Sequence, residues 1–257
     1  MRTGRSIGAV LLAAASTIVV ALTSTAQAVA APPAPGRDGV VVSVQKNRDG
    51  TITETAYTPA PGVTAKDLAA RLTARGVPNV KVADEPAMTT LAAACSSGTA
   101  RTWPSSATCF VRWAYNGYAR PQIYFIDHSG SAWPVGRAVT KWNETSGIDS
   151  VYRIPSSGCP GGGIHCVHVY SGNYGSGWTG LTSRTLNAAE TYYTGATVKL
   201  NTYYSGTEAE HWNTACHELG HVLGLDHNTS TGSCVYAYRS SQRYPNADDF
   251  NLLERYY

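Results

Sequence analysis

The most informative segment of the chain is Cys216-His217-Glu218-Leu219-Gly220-His221-Val222-Leu223-Gly224-Leu225-Asp226-His227. On a helix, residues four positions apart lie one turn above each other, so His217 and His221 face the same way. Two imidazoles in that arrangement can chelate one Zn²⁺. Gly224 allows a left-handed turn that ends the helix, after which the chain can double back and deliver His227 as a third ligand. Three protein ligands with a fourth position open are typical of a catalytic zinc site.

Glu218 directly follows the first of these histidines. In this arrangement we expect it to act as a general base without binding the metal. The full pattern, H-E-x-x-H-x-x-G-x-x-H, has five fixed positions and arises by chance in roughly one sequence of this length in ten thousand. An ordinary core helix with two histidines would not explain Gly224 and His227 at their spacing.

This motif resembles that of the metzincin metalloproteases, and two further segments resemble the matrixins and the small snapalysin-type proteases. Residues 196–201 (Ala-Thr-Val-Lys-Leu-Asn) are similar to the strand that precedes the active-site helix of matrixins. Residues 248–257 are similar to their C-terminal helix. The resemblance spans about residues 122–257 and implies a secreted, bacterial-type zinc endopeptidase. Because snapalysins usually carry Asp as the third ligand, Asp226 stays an alternative to the matrixin-like His227.

The chain departs from the metzincins in the turn after the motif, where that family places a methionine beneath the zinc. Its only methionines are Met1 and Met88, and the resemblance places Tyr236 at the methionine position. The same alignment places Tyr238 where astacins and serralysins carry a tyrosine that binds zinc or stabilises the oxyanion. A packing role is the alternative for Tyr238.

The N-terminus has the pattern of an export signal. Arg2 and Arg5 precede an apolar run over residues 7–22, and Ala26-Gln27-Ala28 matches the small-x-small site of signal peptidase. We therefore predict a signal peptide at residues 1–28, secretion into the extracellular space and no membrane contact after cleavage. An N-terminal membrane anchor is the alternative.

The pattern predicts that residues 29–94 form a small α/β pro-segment. Its expected elements are strands over residues 40–44, 51–57 and 80–82 and a helix from Thr64 to about residue 75. The segment contains no motif that carries chemistry. Removal during maturation is therefore the simpler interpretation, and a permanent accessory domain is the alternative.

Residues 95–257 are predicted to form an α+β, metzincin-like catalytic domain. We expect a mixed, twisted, five-stranded sheet with two to three helices. The segments with strand periodicity are 122–126, 151–154, 165–170 and 196–200, and those with helical periodicity are 133–142, 208 onward and 247–257.

Six cysteines follow residue 94, and an even number behind an export signal implies disulfides. Short separations favour pairing between neighbours, namely Cys95–Cys109, Cys159–Cys166 and Cys216–Cys234. Cys95 could instead block the zinc as a latency thiol, although Ala-Cys-Ser-Ser does not match the surroundings of that cysteine in matrixin pro-segments.

The remaining expectations concern partners and alternatives. A net charge of +3 is too small to indicate nucleic acid binding. We expect a monomer with one catalytic Zn²⁺, and structural Ca²⁺ is left open because no motif indicates it. Protein or peptide substrates should lie extended along a sheet edge at residues 177–182. His165 and His168 should point to opposite faces of a strand, and neither His128 nor His211 has an evident role.

Two other functions remain open. The first is a catalytically silent, zinc-loaded binding protein whose missing methionine marks lost activity. The second is a peptidase whose third ligand is a distant Glu, as in thermolysin-like enzymes. The sequence favours an endopeptidase that hydrolyses extracellular proteins with a zinc-activated water and Glu218 as the general base.

Overall fold

The computed structural model describes residues 40–82, 95–103 and 109–257. The predicted signal peptide and both ends of the predicted pro-segment, residues 29–39 and 83–94, lie outside these residues. Among the described residues, no helix has the length and apolar character needed to cross a membrane.

One mixed sheet of nine strands forms the centre of the structure. The strands of the described residues are β1 (Val41–Lys46), β2 (Ile52–Pro59), β3 (Val80–Val82), β4 (Ser96–Ser97), β5 (Ala100–Arg101), β6 (Arg112–Trp113), β7 (Gln122–His128), β8 (Asp149–Arg153), β9 (His165–Gly172), β10 (Trp178–Leu186) and β11 (Tyr192–Asn201). Their order is β3-β1-β2-β10-β11-β9-β7-β8, with β6 also paired to β11, while β4 and β5 form a separate small ribbon.

The four segments predicted as strands of the catalytic domain are β8, β7, β9 and β11, which lie side by side in that order with β10 next to β11. The first four are mutually parallel, and β10 is antiparallel to β11. The α+β prediction with a mixed sheet is therefore confirmed. The sheet does not stop at β10, because β2 pairs with its other side and brings β1 and β3 with it.

Four α-helices lie in the described part of the chain. They are α1 (Ala65–Ala74), α2 (Val135–Trp142), α3 (Glu208–Val222) and α4 (Ala247–Tyr256). Thr64 caps α1 as expected, since its side chain accepts a hydrogen bond from the Asp67 amide. Helix α2 begins at Val135, two residues later than predicted, because Pro134 occupies the N-cap position.

The main core fixes α3 against the sheet and α2. Two buried tryptophans donate their indole N–H groups to carbonyls of this helix, Trp142 to Cys216 O at 3.0 Å and Trp113 to Val222 O at 2.9 Å. Gly220 lets α3 approach closely, because a Cβ there would lie 3.0 Å from Trp142 and from Val235. Burial of these large side chains, each with its polar atom satisfied, holds the helix that carries the histidines.

A second core joins the N-terminal residues to β10. Tyr57 of β2 and Leu68 and Leu72 of α1 form a buried cluster with Trp178 and Leu181 of β10. Residues 40–82 are therefore packed against the same strand that was expected to bind substrate.

Candidate metal centre

The turn at the end of α3 depends on a glycine. Gly224 has φ +101°, and its amide and that of Leu225 bond back to His221 O and Gly220 O, both at 3.1 Å, in a Schellman arrangement. A Cβ at position 224 would lie 2.9 Å from the Phe110 ring. The local chain reversal predicted from the motif is therefore present, and only glycine fits it without strain.

This reversal brings three buried histidines together. The Nε2 atom of His217 lies 3.0 Å from that of His221 and 3.2 Å from that of His227. Within the residues described, these three form the group of side chains that could hold a metal ion, with ligand atoms within 4.8 Å of one another. Among the residues that the structure describes, no distant Glu belongs to this group. Asp226 instead accepts the backbone N–H of His227 at 2.7 Å.

The other ring nitrogens determine which atoms face the centre of the cluster. His217 Nδ1 lies 3.1 Å from Cys234 O, and His221 Nδ1 lies 2.8 Å from Leu225 O. Because a carbonyl only accepts, each Nδ1 carries the proton and each Nε2 presents a lone pair. Lone pairs that converge at this distance are stabilised by a cation between them, so the donor set fits zinc.

The histidines are also in the protonation state that metal binding requires. Burial lowers the pKa of His217 to about 3, with a smaller contribution from neighbouring His227. Burial likewise lowers the pKa of His227 to about 3 and that of His221 well below its usual value. Neutral imidazoles are thus favoured, and no proton competes with a metal near neutral pH.

Glu218 lies on the adjacent face of α3 with both carboxylate oxygens occupied. Oε1 accepts the hydroxyl of Thr58 at 2.6 Å, and Oε2 accepts that of Thr182 at 2.7 Å. Burial raises the pKa of Glu218 to about 7, against the opposing effect of the two hydroxyls and of Arg184. Gly180 makes room for this carboxylate, because a Cβ there would overlap it.

A comparison with protein families adds to this geometry. Residues 161–257, which include β9, β10, β11, α3 and α4, match the model of the matrixin family. This C-terminal part of the chain is therefore similar to the matrixin family. The match contains all three histidines and Glu218, and it supports a zinc metallopeptidase. No curated protein matches the chain.

The turn at residues 233–238, which follows the third histidine, is held by a disulfide and a buried carboxylate. The structure pairs the cysteines as Cys95–Cys109, Cys159–Cys166 and Cys216–Cys234, which are the neighbour pairs expected from the sequence. All six cysteines lie in described residues and none is a free thiol. Asp249 of α4 accepts the Ser233 hydroxyl at 2.6 Å and so anchors the start of the turn.

The two tyrosines of the turn differ from each other in exposure. Tyr236 is partly buried, and its position after Cys234 is compatible with the expected methionine site. Tyr238 is 42% exposed and lies edge-on to Tyr236, with ring centroids 6.0 Å apart. Its setting therefore differs from that of the fully buried histidines, and a role towards the oxyanion stays a prediction.

Sequence reasoning missed Arg184 and Trp103, which lie beside the three histidines. Arg184 of β10 is fully buried and donates to His221 O at 3.2 Å. The backbone N–H of Trp103 donates to Gly224 O at 2.9 Å. The indole ring of Trp103 lies edge-on to the His221 ring, with ring centroids 5.4 Å apart. The guanidinium of Arg184 stacks over Trp103 at 4.3 Å. Only the three-dimensional fold brings these groups to the site.

The remaining histidines lie elsewhere. His165 bonds to Ala114 O at 2.7 Å, and His211 bonds to Ala132 O at 3.1 Å. His168 points away from His165 towards His128, with 3.0 Å between ring nitrogens. The sequence did not anticipate this last pair, because it is formed by neighbouring strands β7 and β9.

Proposed function

We propose that the chain is a secreted zinc-dependent endopeptidase that hydrolyses peptide bonds of extracellular proteins. The observation that carries the proposal is the convergence of three neutral, buried Nε2 atoms beside a buried carboxylate that is not part of the metal-binding group. The matrixin match and the three disulfides are compatible with an extracellular location.

His217, His221 and His227 would hold the zinc ion, with Cys234 O and Leu225 O fixing the orientation of two of the rings. Zinc bound there would lower the pKa of water to about 7 and polarise the scissile carbonyl. Because the three histidines are neutral, they need not release protons for the ion to bind.

Glu218 is the general base of the proposed reaction. Its carboxylate takes the proton of the attacking water and passes it to the departing amine. The hydroxyl of Thr182 holds one carboxylate oxygen and so positions the other for the proton transfer.

Substrate would bind as an added strand on β10, which contains the residues 178–182 of the expected edge. That side of β10 is paired with β2 in this structure, so a substrate strand would have to replace β2.

Casein cleavage by the matured protein from culture medium, measured with and without a zinc chelator, tests this proposal. We expect cleavage to be lost on chelation and restored by added zinc. His227→Ala should lower the zinc content as well as the activity, whereas a site with a distant Glu as third ligand would keep its zinc. Full zinc occupancy without cleavage of casein or a broad peptide library would favour the silent binding protein.

A further inference from the structure

Strand β2 follows β10 along its whole length. The antiparallel register runs from Pro59 opposite Trp178 to Ile52 opposite Leu186, with one irregularity between residues 178 and 180. β10 in turn contacts α3 through the Thr182 hydroxyl, which lies 2.9 Å from Glu218 O. The N-terminal strand therefore occupies the side of β10 on which the proposed function places a substrate.

Alternate residues of β2 form a face directed at the catalytic groups. Thr58 is 3% exposed and donates its hydroxyl to Glu218 Oε1 at 2.6 Å. Glu54, four residues earlier, forms an ion pair at 2.8 Å with Arg184, whose side chain is fully buried. Ala56 lies between them and belongs to the buried cluster that contains Trp103, the ring beside His221.

The opposite face of β2 attaches the strand to the rest of residues 40–82. Tyr57 packs with Leu68 and Leu72 of α1 and stands edge-on to Trp178, with ring centroids 6.2 Å apart. On the same face, the Thr55 hydroxyl lies 2.7 Å from that of Ser183. Strand β2 is thus held by its own small core and by direct contacts to β10.

From these contacts we infer that residues 40–82 are a strand-adding inhibitor of the site, with β2 in the place of substrate and the Thr58 hydroxyl on the general base. The inference rests on the proposed function. β10 and the groups behind it accept an extended segment of the form Glu-x-Ala-x-Thr, in which the acid pairs with Arg184 and the hydroxyl bonds to Glu218. Glu218 has no solvent-exposed surface while β2 is in place, and Thr58 takes a hydrogen-bonding position on its Oε1.

This mode of inhibition differs from blockage of the zinc by a cysteine thiol. Cys95 is joined to Cys109, and none of the six cysteines is free to block a metal. Main-chain pairing and two side-chain contacts supply the inhibition instead.

The experiment uses the uncleaved full-length chain, verified by intact mass, with two readouts. One is hydrogen exchange of the β10 amides, with β7 as an internal reference. The other is hydrolysis of a short fluorogenic peptide, compared with matured protein from culture medium. Glu54→Arg places a like charge against buried Arg184 and should release β2. Lys66→Glu reverses a charge at an exposed position of α1 and serves as the matched control.

In the unmodified chain we expect protected β10 amides and hydrolysis at least about 100-fold slower than that of the matured protein. Glu54→Arg should speed β10 exchange and raise hydrolysis by at least about tenfold, because it breaks a buried ion pair. β7 exchange and the Lys66→Glu chain should be unchanged. Thr58→Val keeps the strand and removes only the hydroxyl, so it should raise hydrolysis several-fold even if Glu54→Arg fails to fold.

Two results separate this inference from the proposed function. If the matured protein is active and the uncleaved chain hydrolyses the peptide equally fast with β10 still protected, the inhibitory role is overturned while the peptidase stands. If the matured protein is inactive on every peptide, the proposed function itself fails, and the inhibitory role falls with it.

Discussion

Backbone carbonyl groups set the orientations of the His217 and His221 rings. Each ring gives its Nδ1 proton to a carbonyl, Cys234 O or Leu225 O, and this leaves Nε2 free to bind a cation. Leu225 can present its carbonyl only because the chain reverses at Gly224. Gly224 therefore affects the metal site in two ways. It allows the Leu225 carbonyl to orient the His221 ring, and it redirects the chain towards His227.

We predict that Gly224→Ala destabilises the protein by about 2–4 kcal/mol, since a Cβ there meets Phe110 and the backbone must keep a positive φ. The zinc content of the purified variant should fall as well. Urea unfolding and metal analysis measure the two effects. Gly195→Ala is the matched control, because no atom lies within 4 Å of its added Cβ. Equal stability and zinc content in the two variants would contradict this account of the turn.

Among the elements, helix α3 is joined to the turn at residues 233–238 beside the metal site. The Cys216–Cys234 disulfide links the residue before His217 to the residue whose carbonyl orients the His217 ring. Asp249 holds the neighbouring Ser233, also at the start of this turn. The turn, which lacks the metzincin methionine, therefore has one covalent and one polar attachment at its start. Neither attachment involves Tyr236, the residue at the expected methionine position.

Replacing both Cys216 and Cys234 by Ala should lower the free energy of unfolding by about 3 kcal/mol, as expected for a loop of this size. It should also speed the loss of zinc to a chelator, because the carbonyl that orients His217 is no longer tethered. Replacement of Cys159 and Cys166, a shorter loop of separation 7, should leave zinc release unchanged. Equal rates of zinc release from the two double variants would show that the Cys216–Cys234 link does not support the site.

In the molecule as a whole, a single sheet contains strands from two parts of the chain. Strands β9 to β11 lie in the residues that match the matrixin model, and β1 to β3 extend the same sheet across the proposed substrate position. The prediction that residues 29–94 are removed on maturation gains a physical reason from this arrangement. As long as β2 stays paired, β10 presents no free edge on that side.

The sequence allowed the local features to be predicted, because each depends on nearby residues. The histidine spacing, the Thr64 cap and the neighbouring disulfides follow from short-range geometry. The contacts around Glu218 do not, since Thr182 and Thr58 lie 36 and 160 residues from it along the chain. Strand β10 was recognised only in part, because its Gly, Thr, Ser and Arg residues hide the alternation expected of a strand.

The most direct test of the proposed mechanism is kcat/KM of the matured protein and its Glu218→Gln variant on one peptide, with zinc measured in the same samples. Gln keeps the size of the side chain and removes its ability to take a proton. We expect kcat/KM to fall by at least about 10²-fold while zinc stays at one ion per chain, because the three histidines are untouched. A zinc-loaded Glu218→Gln variant that cleaves as fast as the unmodified protein would contradict the general-base role of Glu218.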